Sequence, residues 1–313
     1  MPMKLLRTTA EDFKKKYDNP ARIVYNSVEF CELNAHKADE IVYLDLRGSE
    51  CSLGMIFGRK GNKIESPFSA PFGGFVAQGT AGFANISEAL SQIADFARQN
   101  RWSVAITLPP SFYTPLSDAT VFAARRAGFA VEPPDINYHI NLRENDFERN
   151  LTRAGRKNLN AARRNGFSLE VAELHRQTAS AAFDIIRTNR EEHGYPLRMS
   201  FDDVHSTSRF VYVEFFIVRH DTEAVASAMV YRLSDKIAQV IYWGDIASHR
   251  SLRPMNFLAH ALSCHYRDRG MEILDIGPAS TDGAPNLGLC SFKESIGCIS
   301  TLKHTVTLAN HDD

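Results

Sequence analysis

Most of the usual signposts of function are missing from this chain. Its five cysteines, Cys31, Cys51, Cys264, Cys290 and Cys298, form no C-x-x-C pair, which argues against a zinc knuckle or a thioredoxin-like motif. Reduced, mostly structural thiols are expected instead. His193, His249, His260 and His265 offer no i, i+4 pair, so no metal site is expected. Charge of one sign is also lacking: 36 Lys and Arg stand against 37 Asp and Glu, for a net charge of -1. The molecule as a whole therefore has no field to draw nucleic acid or membrane, and any such partner must use a local patch. The longest strongly apolar run, Phe210 to Val218, is interrupted by Glu214 and falls far below the ~20 residues that span a bilayer. The N-terminal stretch MPMKLLRTTAEDFKKKYD carries positive charge with no apolar segment after it, unlike a secretory signal. A cytoplasmic protein with no membrane span is predicted.

What is present is an ordinary globular composition, 44% hydrophobic and 23% charged over 313 residues, long enough for two domains. In the first half, Glu40 to Leu46, Cys51 to Gly58, Lys63 to Ser66 and Phe72 to Val76 read as an antiparallel meander. Asn85-Ile-Ser-Glu88 resembles a capping box, and Ala89, Leu90, Ile93, Ala94 and Ala97 form one helical face. Then follow a strand at Trp102 to Leu108, a short helix to about Arg126, and a strand at Asn137 to Leu142. The second half repeats this order with strands at Phe210 to Arg219, Ala224 to Leu233 and Ile237 to Gly244. Next come a helix opened by Pro254 and stopped at Gly270, a strand at Glu272 to Ile276, a short helix at Asn286 to Ile296, and a last strand at Ser300 to Leu308. A repeated order of this kind predicts duplication, with Phe72-Gly73-Gly74 corresponding to Trp243-Gly244. Units at 1–145 and 146–313 are expected, the second opened by a basic helix within Asp146 to Gly166.

Meander, helix, strand, short helix and closing strand resemble the GNAT N-acyltransferase fold. Two such units in tandem resemble its Fem-type subgroup, which includes transferases that add amino acids from aminoacyl-tRNA to peptidoglycan precursors. The local matches are Pro71-Phe-Gly-Gly-Phe75, Arg250-Ser-Leu-Arg-Pro254, the closing element Asn286-Leu-Gly-Leu-Cys-Ser-Phe-Lys-Glu-Ser-Ile-Gly297, and the Arg-rich segment around Arg153 to Arg164. The resemblance covers roughly Ile41 to Leu308. It implies an α/β (α+β) fold of two tandem GNAT-like units, each a mixed, mostly antiparallel sheet flanked by helices. It further implies acyl-CoA or aminoacyl-tRNA as donor, a small-molecule or peptide amine as acceptor, and no metal. Two departures stand out. The superfamily's glycine-rich acyl-CoA loop is replaced in the second half by His249-Arg-Ser-Leu-Arg-Pro254, although Gly79-Thr-Ala-Gly-Phe-Ala84 in the first half fits it at all but the first position. The short helix has Cys290 and Ser291 but no tyrosine.

Within that frame, acyl transfer needs a cleft with free main-chain donors and a base. Ile237 to Gly244 and Glu272 to Ile276 are the strands expected to diverge, with Gly244 and Gly277 at their ends suiting close backbone approach. Asp245 and Asp275 are the candidate bases, directly or through water; either could equally cap a loop or helix. Lys293 is assigned to substrate phosphate or developing charge, or is a solvated helix lysine. Arg250 and Arg253, with Asn286, are candidates for the donor's anion, or surface residues. Arg156 and Arg163 are candidates for an acceptor or tRNA phosphate, or part of a solvated face. Phe72, Gly73 and Gly74 either line an acceptor groove or pack a tight turn. Two other readings remain open: a non-catalytic module that binds a ligand or protein, and a nucleic-acid-binding module built on the basic helix.

Overall fold

In the computed structural model, residues 3–18, 23–143, 147–172, 174 and 177–310 are described. In chain order the first elements are β1 (Lys4–Thr8), α1 (Ala10–Tyr17), α2 (Val28–Leu33), β2 (Glu40–Arg47), β3 (Ser52–Lys60), β4 (Lys63–Ser66), β5 (Val76–Gln78), α3 (Phe83–Asn100), β6 (Ser103–Thr107), α4 (Leu116–Arg126), β7 (Ala130–Val131) and β8 (Asp135–Asn141). They are followed by α5 (Arg153–Arg164), β9 (Ser168–Ala172), α6 (Gln177–Glu192), α7 (Phe201–Thr207), β10 (Tyr212–His220), β11 (Glu223–Arg232), β12 (Ile237–Asp245) and α8 (Pro254–Arg267). The chain ends with β13 (Ile273–Pro278), a small ribbon of β14 (Ser280–Thr281) and β15 (Ala284–Pro285), α9 (Leu287–Ser295), β16 (Ile299–Lys303) and β17 (Thr305–Leu308).

Two sheets share one strand order. The first runs β1-β2-β3-β4-β6-β17-β7, with β5 added on β3, and the second runs β9-β10-β11-β12-β13-β8-β16. In each, the fourth and fifth strands are the parallel pair, β4 with β6 and β12 with β13. The duplication is therefore real at the level of topology. It differs from a simple tandem in one respect: β17, from the end of the chain, fills in the first sheet the place that β8, from the first half, fills in the second. Val306 and Leu308 accordingly belong to the core of the first sheet.

The chain divides into unit 1, Met1–Ile136 with Ser280–Ala284 and Thr301–Asp313, and unit 2, Asn137–Ala279 with Pro285–Ser300. The expected boundary between residues 145 and 146 lies outside the described residues. The expected single strand from Ser300 to Leu308 is two strands parted at His304 and shared between the sheets. An alternating run without Gly or Pro gives no hint of that break.

In unit 1, Val42, Leu44 and Leu46 alternate with polar or opposite-facing residues along β2, as do Leu53, Met55 and Phe57 along β3; all six are fully buried against Ile86, Leu90, Ile93 and Ala97 of α3. Period-2 strands meeting a period-3.6 helical stripe is what the pattern required. Helix α3 begins at Phe83, earlier than the expected capping box, and the Asn85 side chain reaches back to the Gly82 N–H at 3.0 Å. The other face of the sheet carries Tyr43 and Ile56 under Phe13 and Tyr17 of α1. Asp45 is buried there, accepting hydrogen bonds from the Tyr17 hydroxyl (2.6 Å), Lys16 (2.8 Å) and Arg47 (2.6 Å). Burial pushes its pKa up, but these three partners prevail and hold the carboxyl below its ordinary range.

In unit 2, Ala226, Ala228 and Val230 of β11 and Ala238 and Val240 of β12 face Leu258, Leu262 and Tyr266 of α8. Gly155 lets α5 lie directly against α9, since a Cβ there falls 1.8 Å from the Ser295 carbonyl oxygen. Helix α8 starts with Pro254 at its first position and stops before Gly270, whose φ is 77°, as the sequence led one to expect. Among the described residues, no helix is long and apolar enough to cross a membrane.

Candidate active site

Parallel strands β12 and β13 pair only at Ile237↔Ile273, Ala238↔Leu274 and Gln239↔Asp275. Beyond that point β12 continues to Asp245 and β13 to Pro278 with no pairing between them. Each strand has a bulge where the two part. In β12 the register against β11 passes from Val230↔Val240 to Met229↔Tyr242, making Ile241 the extra residue. In β13 the register against β8 passes from Asp275↔His139 to Gly277↔Tyr138, making Ile276 the extra residue. Bulges bend and re-aim strands, and here the consequence is visible in the side chains. Val240 packs toward α8, whereas Tyr242 points to Arg190 and Gly244 to Asn189, both on α6.

The free end of β13 is braced by two charged side chains. Asp275 is fully buried; its Oδ1 accepts from Asn137 Nδ2 (2.8 Å) and the Gly277 N–H (2.9 Å), and its Oδ2 from Gln239 Nε2 (2.7 Å). Lys293 is 2% exposed, and its ammonium donates to the carbonyls of Ile276 (3.1 Å), Gly277 (2.9 Å) and Pro278 (2.9 Å). An ammonium has three protons, so all of them are engaged by the strand. Burial pushes its pKa down to about 8. Gly277 has φ 80°, and a Cβ there meets no atom within 4 Å: the wall of the gap is open at this point.

At the end of β12, Asp245 Oδ1 accepts from Arg250 Nε (2.9 Å) and Asn189 Nδ2 (3.2 Å). Arg250 also donates to Glu192 (2.8 Å), and the bond to Asp245 holds its pKa up. Gly244 is explained by its own unit, because a Cβ there lies 2.5 Å from Asn189 Cγ. Arg253 caps α8 in the left-handed region at φ 66°, and its guanidinium has no partner among the described residues. With Arg253 in a glycine's conformation and Pro254 lacking an N–H, this helix start suits one anionic group met by Arg253 better than a pyrophosphate cradled by successive N–H groups. Asn286 caps α9, its Oδ1 accepting the Leu289 N–H at 3.0 Å.

The remaining sequence candidates lie elsewhere. Arg163 forms an ion pair with Glu148 and lies 3.1 Å from His260 Nε2, and Arg156 donates to the Glu148 carbonyl at 3.1 Å. Arg153, Lys157 and Arg164 on the same helix are exposed and have no partner among the described residues. Phe72 is 2% exposed and packs between Tyr25 and Tyr113. Residues 72–75, expected as a strand, form none. Instead, the Gly73 N–H donates to the Thr107 carbonyl at 2.8 Å, just beyond the paired part of β4 and β6. It is β4, parallel to β6, and not Phe72-Gly73-Gly74, that takes the place of β12.

Sequence reasoning missed the residues that gather on the α6 side of β12: Asn189, Arg190, Tyr195, Arg198 and Tyr242. The one available signal was the breaker His193-Gly194-Tyr195-Pro196 between two arginines.

Comparison with solved structures decides the fold. FemX superposes with a TM-score of 0.65 at 11% identity, covering 96% of this chain and 97% of its own. The fold is the tandem GNAT fold. A tandem GNAT protein from the clavulanic acid biosynthesis pathway, solved without AcCoA, superposes at 0.56 with 11% identity over 98% of each chain. L-PGS from Bacillus licheniformis does so at 0.56 with 12% identity, over 96% of this chain and 91% of its own. No family model and no curated sequence matches. In this tandem GNAT fold the open parallel pair belongs to unit 2. Among the described residues, no group of three or more His, Cys, Asp and Glu is placed to hold a metal.

Proposed function

We propose that unit 2 transfers an acyl or aminoacyl group from an activated donor, acyl-CoA or aminoacyl-tRNA, to an amine. The single observation behind this reading is the parting of β12 and β13 after Gln239↔Asp275, with both strands bulged at the fork. Main-chain donors fixed at such a fork are preorganised for the oxygen of a carbonyl under attack, and they cost no reorganisation in the transition state. Holding that carbonyl beside the amine removes about 7–11 kcal/mol of barrier by positioning alone.

Asp245 is the base in this scheme. It is partly exposed at the end of β12; Oδ1 is anchored by Arg250 and Asn189, and Oδ2 has no partner among the described residues. Asp275 is too enclosed to meet an amine and acts by holding the Gly277 N–H. Lys293 likewise acts through the strand, holding the carbonyls of Ile276, Gly277 and Pro278 in place. Arg253 meets the donor's anionic portion, and Asn286 caps the start of α9.

The test is direct. Purified protein is incubated with acyl-CoA or charged tRNA and an amine acceptor, and amide formation is followed by mass spectrometry, with Asp245→Asn as control. Transfer that falls by about 10²-fold or more in the variant supports the reading. A donor bound at about 100 times its dissociation constant also raises stability by about 2.7 kcal/mol. Stabilisation without transfer favours a ligand-binding protein, and neither transfer nor stabilisation with any donor ends the proposal.

A further inference from the structure

We infer that Trp243 sets the length of the acyl chain, admitting a short one and rejecting a long one. This inference rests on the transfer reading above and adds to it the class of acyl group and the residue that selects it.

The two sides of the fork are lined differently. Side chains alternate along an extended strand. With Tyr242 and Gly244 turned toward α6, Trp243 between them is turned toward α8, where it packs on the core that includes Val240 and Ile276. Those two residues each stand one position past the last pair, Gln239↔Asp275. On the α6 side the vertex of the fork is therefore polar, crossed by the bond from the Gln239 amide to Asp275 (2.7 Å). On the α8 side it is apolar.

Trp243 closes the apolar side. Its indole meets the Phe292 ring edge to face, with centroids 5.9 Å apart and planes at 66°. Phe292 comes from α9, and the next residue, Lys293, is tied to the carbonyls of Ile276, Gly277 and Pro278. The ring contact thus runs from the unpaired end of β12 to the helix that braces the unpaired end of β13. Both rings are only half-buried, so each keeps accessible surface.

A carbonyl held by main-chain donors at the fork has two further substituents, the leaving arm and the acyl chain. The arm of CoA or of tRNA is far too large for the vertex and must pass out beyond the strand ends, which directs the acyl chain inward. There Val240, Ile276 and the two rings favour an apolar chain, whose surface is removed from water. The indole occupies the room that further methylenes would need, and a packed interior takes extra atoms only with strain.

The experiment compares kcat/KM for a short and a long donor of each class, acetyl-CoA against hexanoyl-CoA and alanyl-tRNA against leucyl-tRNA, with one amine acceptor. In whichever class the wild type uses, it should favour the short donor by about 10-fold or more, as hydrophobic pockets do for added methylenes. Trp243→Ala removes the indole and should lower that preference by about 10-fold or reverse it, and Trp243→Leu should fall between. Both donors are assayed on one preparation, so the ratio does not depend on how much of a variant is folded. A ratio unchanged in both variants, equal losses with short and long donors (complete loss included), or a wild type that uses both lengths equally well overturns the inference and leaves the transfer reading in place. If the wild type transfers nothing from any of these donors or from those of the preceding test, both fall together.

Discussion

Unit 1 and unit 2 carry the same strand order but treat their parallel pair in opposite ways. In unit 2 the strands part after Gln239↔Asp275, and the freed end of β13 is satisfied by the Asp275 and Lys293 side chains, which leaves the gap itself open beside Gly277. In unit 1 the strands part after Ser66↔Ile106, and the chain's own Gly73 enters to bond Thr107. That fit is tight, since a Cβ on Gly73 lies 2.7 Å from Ser66 Oγ and 2.8 Å from the Pro67 nitrogen. The difference teaches how one topology leaves its fork filled or open: what matters is whether backbone or side chains satisfy the polar groups that the fork exposes.

The comparison breaks most readily on activity. Asp245→Asn should lower turnover by about 10² to 10³-fold with little change in melting temperature, measured as initial rate per folded molecule. A smaller effect is expected from Lys293. Below pH 8 folded and unfolded chains both hold its proton, and the full cost of the buried ammonium is present. Between pH 8 and 10.5 the unfolded chain binds the proton and the native one does not, so stability rises with pH, by about 3 kcal/mol over the window. Buried tyrosines such as Tyr266, whose pKa burial instead raises, act in the opposite sense near the top of that range. The quantity to read is therefore the difference in urea midpoint between wild type and Lys293→Met as pH climbs. A flat difference would show that the native ammonium is not destabilised.

Unit 1 supplies the converse tests. Asp45→Asn strands Lys16 and weakens the Tyr17 bond, and should cost on the order of 2–3 kcal/mol by chemical denaturation while sparing turnover. Gly73→Ala forces a methyl against Ser66 and Pro67 and should cost about 1–3 kcal/mol. Were Gly73→Ala to abolish turnover while stability held, unit 1 would have to be counted as part of the chemistry.

Much of this was readable in advance, for identifiable reasons. The helix faces of α3 and α8, the Pro254 start and the Gly270 stop follow local rules that tertiary structure did not override. The fork between Ile237 to Gly244 and Glu272 to Ile276 was placed through the resemblance, and the pairing pattern agrees with it. What escaped were features that depend on distant partners. Nothing in Phe72-Gly73-Gly74 says that it will fill a seam, and nothing in Asn189 says that Gly244 makes room for it. Tyr195 escaped because the Asn286 amide that meets its hydroxyl is remote in sequence.

The exchange of β8 and β17 also bears on synthesis. As the polypeptide emerges, the first sheet has its core strands β2, β3, β4 and β6 within 107 residues, yet the segment that belongs between β6 and β7 is translated only after β8 to β16. Until then Ile106 and its neighbours border an uncovered edge, of the kind that invites mispairing. A ribosome paused or a transcript cut before residue 305 leaves the earlier-made sheet incomplete, so losing β17 should be felt in strands made some two hundred residues before it.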